Sequence, residues 1–275
     1  MLEIPEAHVI SEQINKYLAE KEIENVIANN SPHKFAWFAG NPYEYRQKLV
    51  NKVIHKTQPV GGLIVMNIGN QKMVFSDGVQ LIWLQKTDKI PEKHQLLLNF
   101  SDGTSLVAKI QMYGGIWCFK EGEWENEYYE IAKEKHSPLS EEFDFEYLEK
   151  LLEKYPQKSA KAFLATEQRI PGLGNGVLQD ILFTAKIHPK TKIEFLSEIE
   201  KMNLFKSIKN TLSQMIEFGG RDTEKDLLGN PGKYKTKMSK KTVGNACPDC
   251  KGMIKKTAYL GGSIYFCEIC QIEKQ

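Results

Sequence analysis

No apolar run in this 275-residue chain approaches the roughly 18 residues needed to cross a bilayer, and no secretory segment opens it, so a cytoplasmic protein is expected. Charge of one sign is also missing. Lys and Arg number 37 against 35 Asp and Glu, and the formal net charge of +2 excludes a chain whose whole surface serves as a polyelectrolyte. Cysteine is sparse, with Cys118 alone in the first 246 residues. His8, His55, His94 and His188 fall at neither metal nor triad spacing and read as structural or exposed.

The other four cysteines are concentrated in CPDCKGMIKKTAYLGGSIYFCEIC, residues 247 to 270. Cys247 and Cys250 form one CxxC pair and Cys267 and Cys270 a second, with a spacer suited to a four-cysteine zinc site. Between the pairs, Ile254, Thr257 and Tyr259, a Gly261-Gly262 turn, and Ile264, Tyr265 and Phe266 read as two short strands. So small a hairpin cannot hold itself together by burial, and one structural Zn2+ would supply its folding energy. Two disulfides are the rival reading, which would leave Cys118 unpaired. Between Leu227 and Lys256 eight lysines face one acid, Asp249. A cationic segment beside a zinc hairpin suggests a polyanionic partner, although a solvated linker has the same composition.

Taken in order, MLEIPEAHVISEQINKYLAEKEI puts Pro5 and Glu6 at a helix start, and Ala7, Ile10, Ile14, Tyr17 and Leu18 lie on one face. From residue 26 to about residue 117, six or seven short apolar runs such as GLIVMNIGN are broken by turn residues, which predicts an antiparallel sandwich or barrel. Beyond Trp124 the chain becomes acidic and helical, with Ser140 as a cap. Two apolar helical segments then flank residues 170 to 176, where Pro171, Gly172 and Gly174 forbid one continuous helix and Asn175 stands at a new start. Such glycines let backbone N–H groups approach an anion, although a plain packing turn looks alike. A third helical region covers residues 193 to 218.

The amino-terminal Ile4-Pro5-Glu6, the β-rich first half, the turn PGLGNG, Phe218-Gly219-Gly220 and the cysteines ending in Cys270-Gln271 together resemble the formamidopyrimidine-DNA glycosylase and endonuclease VIII family over nearly the whole chain. The resemblance implies an α+β protein of two domains: a β-sandwich with an N-terminal helix, then a helix-two-turn-helix domain followed by the zinc hairpin. The divisions expected are 1–133 for the sandwich, 134–232 for the helical part and 233–275 for the hairpin. It further implies a monomer that grips duplex DNA carrying a lesion or abasic site, excises the modified base in base excision repair and nicks the abasic site. Asn175 and Gly174 would hold a phosphate, Glu3 would be the acid and base beside the sugar, and Glu6 a supporting carboxylate. By residue type alone, Glu3 and Glu6 also suit the helix dipole, worth under about 1 kcal/mol.

The chain departs from the family where the chemistry sits. The family's nucleophilic proline is Leu2 here, which leaves the Met1 α-amine, of ordinary pKa about 8, as the amine nucleophile. One residue displaces that amine by up to about 3.5 Å, and misplacement by about 1 Å can cost a hundredfold. The family's strand lysine falls at Gly62, with Lys56 or Lys72 as substitutes if the register shifts. Its wedge positions become Gly78-Val79-Gln80-Leu81, Gln111 and Tyr113, and the arginine of its hairpin tip becomes Gly262. Tyr113 either stacks in the gap left by an everted base or is a core aromatic. A glycosylase, with or without lyase activity, is therefore set against a relative that keeps the DNA clamp without the chemistry. The two-domain layout argues against a third reading, an RNA- or protein-binding module built on the hairpin alone.

Overall fold

A computed structural model describes residues 2–274, and the chain divides into two compact units. The first runs to Lys133 and takes in Thr223–Gly232; the second holds Glu134–Asp222 and the chain from Lys233 onward. The helical part and the cysteine hairpin thus share one unit, while the segment 223–232, grouped in the sequence with the helices, packs with the strands.

In the first unit, helix α1 (Ile4–Tyr17) begins as its pattern predicts, with Pro5 in the first turn and Ala7, Ile10 and Ile14 buried along one stripe. It packs on strands β3 (Ile54–Val60) and β4 (Leu63–Ile68). These belong to a five-stranded sheet with β5 (Gln71–Phe75), β9 (Gly114–Phe119) and β2 (Ala36–Phe38), in the order β2-β9-β5-β4-β3. The other sheet has the order β1-β7-β8-β6, from β1 (Ile23–Ala28), β7 (Leu96–Phe100), β8 (Ser105–Ile110) and β6 (Val79–Leu84). Pairing is antiparallel throughout both sheets except between β2 and β9, which run parallel, a departure from the expected antiparallel sandwich.

Alternation places Ile64, Met66, Met73 and Phe75 of one sheet in the same core as Leu96, Leu98, Leu106 and Ala108 of the other. The opposite face of the five-stranded sheet is also covered. Leu63, Val65, Val74, Trp117 and Phe119 pack with Tyr129 and Ala132 of helix α3 (Glu127–Glu134), so β4 reads as a continuous apolar run rather than an alternating one. Tyr45 opens the short helix α2 (Tyr45–Leu49), and its buried hydroxyl accepts from Ala39 N at 2.9 Å and donates to Ile116 O at 2.9 Å. The returning segment 223–232 is fixed by Leu227, fully buried in the sandwich core, whose N–H donates to Gln13 Oε1 at 2.9 Å and whose carbonyl accepts from Trp83 N at 2.9 Å.

In the second unit, α4 (Phe145–Lys154) is capped by Asp144, which accepts from Tyr147 N at 2.8 Å, and not by Ser140. Helix α5 (Ala160–Ala165) is capped by Ser159, and α7 (Glu198–Glu217) by a Ser197/Glu200 capping box. Between α5 and α6 (Val177–Thr184), the buried Arg169 donates to Phe163 O at 3.1 Å and Ala162 O at 2.6 Å, closing the end of α5. The cap of α6 is Gly176, one residue beyond Asn175. Strands β10 (Ile254–Tyr259) and β11 (Gly262–Cys267) pair from Ile254↔Cys267 to Tyr259↔Gly262. The turn is therefore Leu260-Gly261, both at positive φ, rather than Gly261-Gly262. Among the described residues no helix is long and apolar enough to cross a membrane.

Candidate active site and metal centre

The first unit holds a cavity of about 370 Å³ whose walls include Leu2, Glu6 and Ile10 from the start of α1, Gly78 to Leu81, Gln111 to Tyr113, and Thr223 to Lys225 from the returning segment. Sequence reasoning reached Glu6, Gln111 and Tyr113, and the fold brings all three to this wall. It missed Lys225, because nothing in TEKDLLGN signals that this loop returns to the sandwich. Glu3 caps α1 in an extended conformation without a side-chain cap bond, its carbonyl accepting from Ala7 N at 2.9 Å. Glu3 and Glu6 are each only 4% exposed, so two carboxylates are buried where the helix dipole favours negative charge. Leu2 is likewise 4% exposed and belongs to the sandwich core. Met1 lies outside the described residues.

Asp77 adds a third acid. Burial pushes its carboxyl above the usual range, while the Tyr113 hydroxyl that donates to it pulls the other way. Tyr113 in turn is pushed up to about 12, by burial first and then by the negative charges of Asp77 and Glu3. The two turns at this wall nest because Gly78 lacks a side chain: a Cβ there would lie 1.7 Å from the Tyr113 carbonyl oxygen, and its φ is +78°. Gly62 sits in the turn between β3 and β4, and neither Lys56, exposed on β3, nor Lys72, paired with Glu121, is among the residues lining the cavity.

In the second unit, Asn175 Nδ2 donates to Ser263 O of β11 at 3.1 Å, and the Gly174 carbonyl accepts from Leu178 N at 3.2 Å as α6 begins. Gln179, which sequence reasoning passed over, brackets the same place. Its amide donates to Asn175 O at 2.8 Å and Ser263 O at 3.2 Å and accepts from Tyr265 N at 3.0 Å. Lys161, also missed because it lies in an apolar helix, is buried and donates to Tyr259 O. Burial lowers its ammonium pKa. A Cβ on Gly262 would stand 3.3 Å from Lys161 Nζ and 3.7 Å from Asn175, so the hairpin's tip, a lysine and the glycine-rich turn converge. The basic approach is held by Asp180, which accepts from Lys237 N at 2.9 Å and Met238 N at 2.7 Å.

The four hairpin sulfurs lie within 4.8 Å of one another, with Cys247 to Cys270 at 3.8 Å and Cys250 to Cys267 at 3.3 Å. Metal–sulfur bonds of about 2.3 Å in a tetrahedron require sulfur–sulfur edges of about 3.8 Å, so the donor set fits a structural zinc ion. Gln271 closes the second pair, accepting from Cys267 N at 3.1 Å and donating to Ile187 O at 2.9 Å. Cys118 is buried in β9 of the first unit and is not a member of this cluster.

Residues 135–226 match the model of the formamidopyrimidine-DNA glycosylase H2TH domain. A formamidopyrimidine-DNA glycosylase of Wolbachia pipientis subsp. Culex pipiens (strain wPip) is 31% identical over 280 residues, covering 98% of this chain and 100% of that protein. That of Bacillus subtilis (strain 168) is 26% identical, covering 100% of both. The solved complex of Lactococcus lactis Fpg with DNA containing an abasic site superposes with a TM-score of 0.85 at 23% identity, over 98% of this chain and 100% of that one.

Proposed function

Because this chain belongs to the formamidopyrimidine-DNA glycosylase family, we propose that it binds damaged duplex DNA as a monomer and excises a modified base, as in base excision repair. The observation that carries this reading is the pair of buried acids, Glu3 and Glu6, at the head of α1, with Glu6 in the wall of a cavity of about 370 Å³. A base inside a duplex must be turned out of the stack to be reached, and a cavity edged by a carboxylate suits its reception. Glu3 takes a proton from the attacking group, water or the α-amine, as that group bonds to the sugar C1′. The bond from C1′ to the base nitrogen breaks, and a proton passes to the departing base. With water the reaction ends at an abasic site; with the amine it continues through a Schiff base to strand nicking. In the second unit, Asn175 and the lysines of residues 233 to 256 hold phosphates, and the zinc ion keeps the hairpin folded.

Leu2 and Gly62 favour a second reading, a lesion binder without chemistry, since one is a buried leucine and the other lies in a turn. Duplexes carrying an abasic site, an oxidised purine or an oxidised pyrimidine, with and without borohydride, separate the readings. Base release that falls at least a hundredfold in Glu3→Gln supports hydrolysis. A borohydride-trapped adduct that vanishes on blocking the N-terminal amine supports lyase chemistry. Tight, salt-dependent binding with neither product leaves the binder, and equal affinity for abasic and intact duplex would refute lesion recognition altogether.

A further inference from the structure

We propose that Trp37 and Phe35, at the edge strand β2, form a stacking platform for unpaired bases, so that this protein also binds single-stranded DNA; the choice of DNA as partner rests on the function proposed above. Trp37 is 50% exposed and Phe35 47%. Two large rings left in water on one short segment are not explained by burial, and contiguous patches of this kind mark binding surfaces. β2 is the last strand of its sheet, so the segment is open to a partner. Within β2, Ala36 and Phe38 turn to the sandwich core and Trp37 to the opposite face. The Phe35 carbonyl accepts from Gly114 N at 3.0 Å, and Trp37 pairs in register with Gly115. A Cβ on Gly115 would lie 2.3 Å from the Trp117 ring, so that indole occupies the surface over the strand partner of Trp37. The Trp37 ring also lies 6.1 Å from that of Tyr113. The platform is thus fixed before anything binds, and a pre-organised surface loses little entropy on association.

Charge selects a nucleic-acid strand over an apolar protein segment. Lys34 Nζ lies 5.4 Å from the centroid of the Phe35 ring, setting a cation beside an aromatic face. An open groove of about 490 Å³ runs past β2, and its walls include Asn29, Pro32, His33 and Lys34 but no carboxylate. A basic wall next to exposed rings is the combination that follows a phosphate backbone while its bases stack. Spacing selects an unpaired strand over a duplex. Two residues of chain span no more than about 7 Å, roughly twice the 3.4 Å per nucleotide of a duplex strand. Neighbouring bases therefore reach both rings only when their strand has left its stack. Tyr113, in contact with Trp37, also lines the cavity that holds Glu6, so the platform adjoins the place where a base is proposed to leave the duplex.

The test uses the full-length protein with a short oligothymidylate, an intact duplex and the same duplex holding an abasic site, read by the anisotropy of end-labelled DNA and by tryptophan emission. The parent should bind the oligothymidylate with quenching of that emission. Trp37→Ala and Phe35→Ala should each weaken this binding roughly tenfold. Trp37→Phe should keep most of the affinity and lose the quenching, which assigns the signal to Trp37. Ile199→Ala, at a residue 74% exposed on α7, should alter neither. An unchanged thermal midpoint for Trp37→Ala shows that folding is not the cause. The proposal is overturned if the parent does not bind the oligothymidylate or if Trp37→Ala binds it as the parent does. It is also overturned if Trp37→Ala instead loses self-association in sedimentation, which would give the patch to a second copy of the chain. Preference for the abasic duplex without oligothymidylate binding refutes the platform alone. Equal affinity for the two duplexes refutes lesion recognition, and the platform then stands only if oligothymidylate binding depends on Trp37.

Discussion

Gln179→Leu should separate the bracket at Asn175 from the bulk of the second unit. The side chain is 2% exposed, and leucine nearly conserves its volume, so the change removes hydrogen bonds with little change in packing. Ser263 O retains the Asn175 amide at 3.1 Å, but Tyr265 N loses its partner. One orphaned backbone donor costs about 1–3 kcal/mol, and the remaining lost bonds add about 1 kcal/mol, so the expected loss is about 2–4 kcal/mol. For a unit of this size each kcal/mol moves the thermal midpoint by roughly 3–4 °C, giving a fall of about 6 to 16 °C at saturating zinc. All four tryptophans, Trp37, Trp83, Trp117 and Trp124, lie in the first unit, whereas the second is rich in helix. Far-UV ellipticity should therefore shift more than tryptophan emission. A shift below about 2 °C, or equal shifts by both probes, would refute the bracket.

Two further outcomes test the metal centre and the acid cluster. With zinc bound, the native protein should give no reaction with a thiol reagent at pH 8, because the metal holds four sulfurs and burial pushes the Cys118 thiol up to about 12. A strong chelator should expose four thiols and collapse the hairpin, and denaturant should expose the fifth; two or more reactive thiols in the zinc-loaded native state would contradict the site. At Asp77, burial holds the folded carboxyl above its ordinary 3.8, so its contribution to stability is complete below pH 3.8 and is lost as pH rises through the raised folded value. Asp77→Asn cannot ionise and should flatten that part of the stability–pH curve; superimposable slopes for parent and variant would show that Asp77 is not responsible.

Much of the fold was legible because it rests on local periodicity. The stripe of Ala7, Ile10 and Ile14, the short apolar runs and the cysteine spacing each carry their own geometry. Errors arose where two local signals competed. Gly261-Gly262 is the stronger turn dipeptide, yet strand register closes the hairpin at Tyr259↔Gly262 and puts Leu260 at φ +46°, an unfavourable conformation that pairing along the whole ladder outweighs. Ser140 and Asp144 are both acceptable caps, and the choice belongs to where Leu148 and Leu152 become buried. The parallel pairing of β2 with β9 joins segments more than 70 residues apart and leaves no mark on either.

At the candidate site of each unit the sequence marks only proposed chemistry-bearing residues, and their supports were not legible. Glu6 and Asn175 stand out as motif positions, but what orients them comes from elsewhere in the chain. The wall opposite α1 is completed by residues 223–225, which reach it because Leu227, in a run that reads as loop, finds its burial in the sandwich core. Asn175 is held by Gln179, a polar residue inside the apolar helix α6 whose burial costs little only because three backbone groups satisfy it. The departures at Leu2, Gly62 and Gly262 are likewise accommodated: the first is packed into the core, the second turns between strands, and the third leaves space occupied by Lys161 and Asn175. The two acids at the head of α1, Glu3 and Glu6, stay buried where the helix dipole favours negative charge. The base excision proposed above therefore rests on these two carboxylates, which the replacement of the family's proline by Leu2 leaves in place.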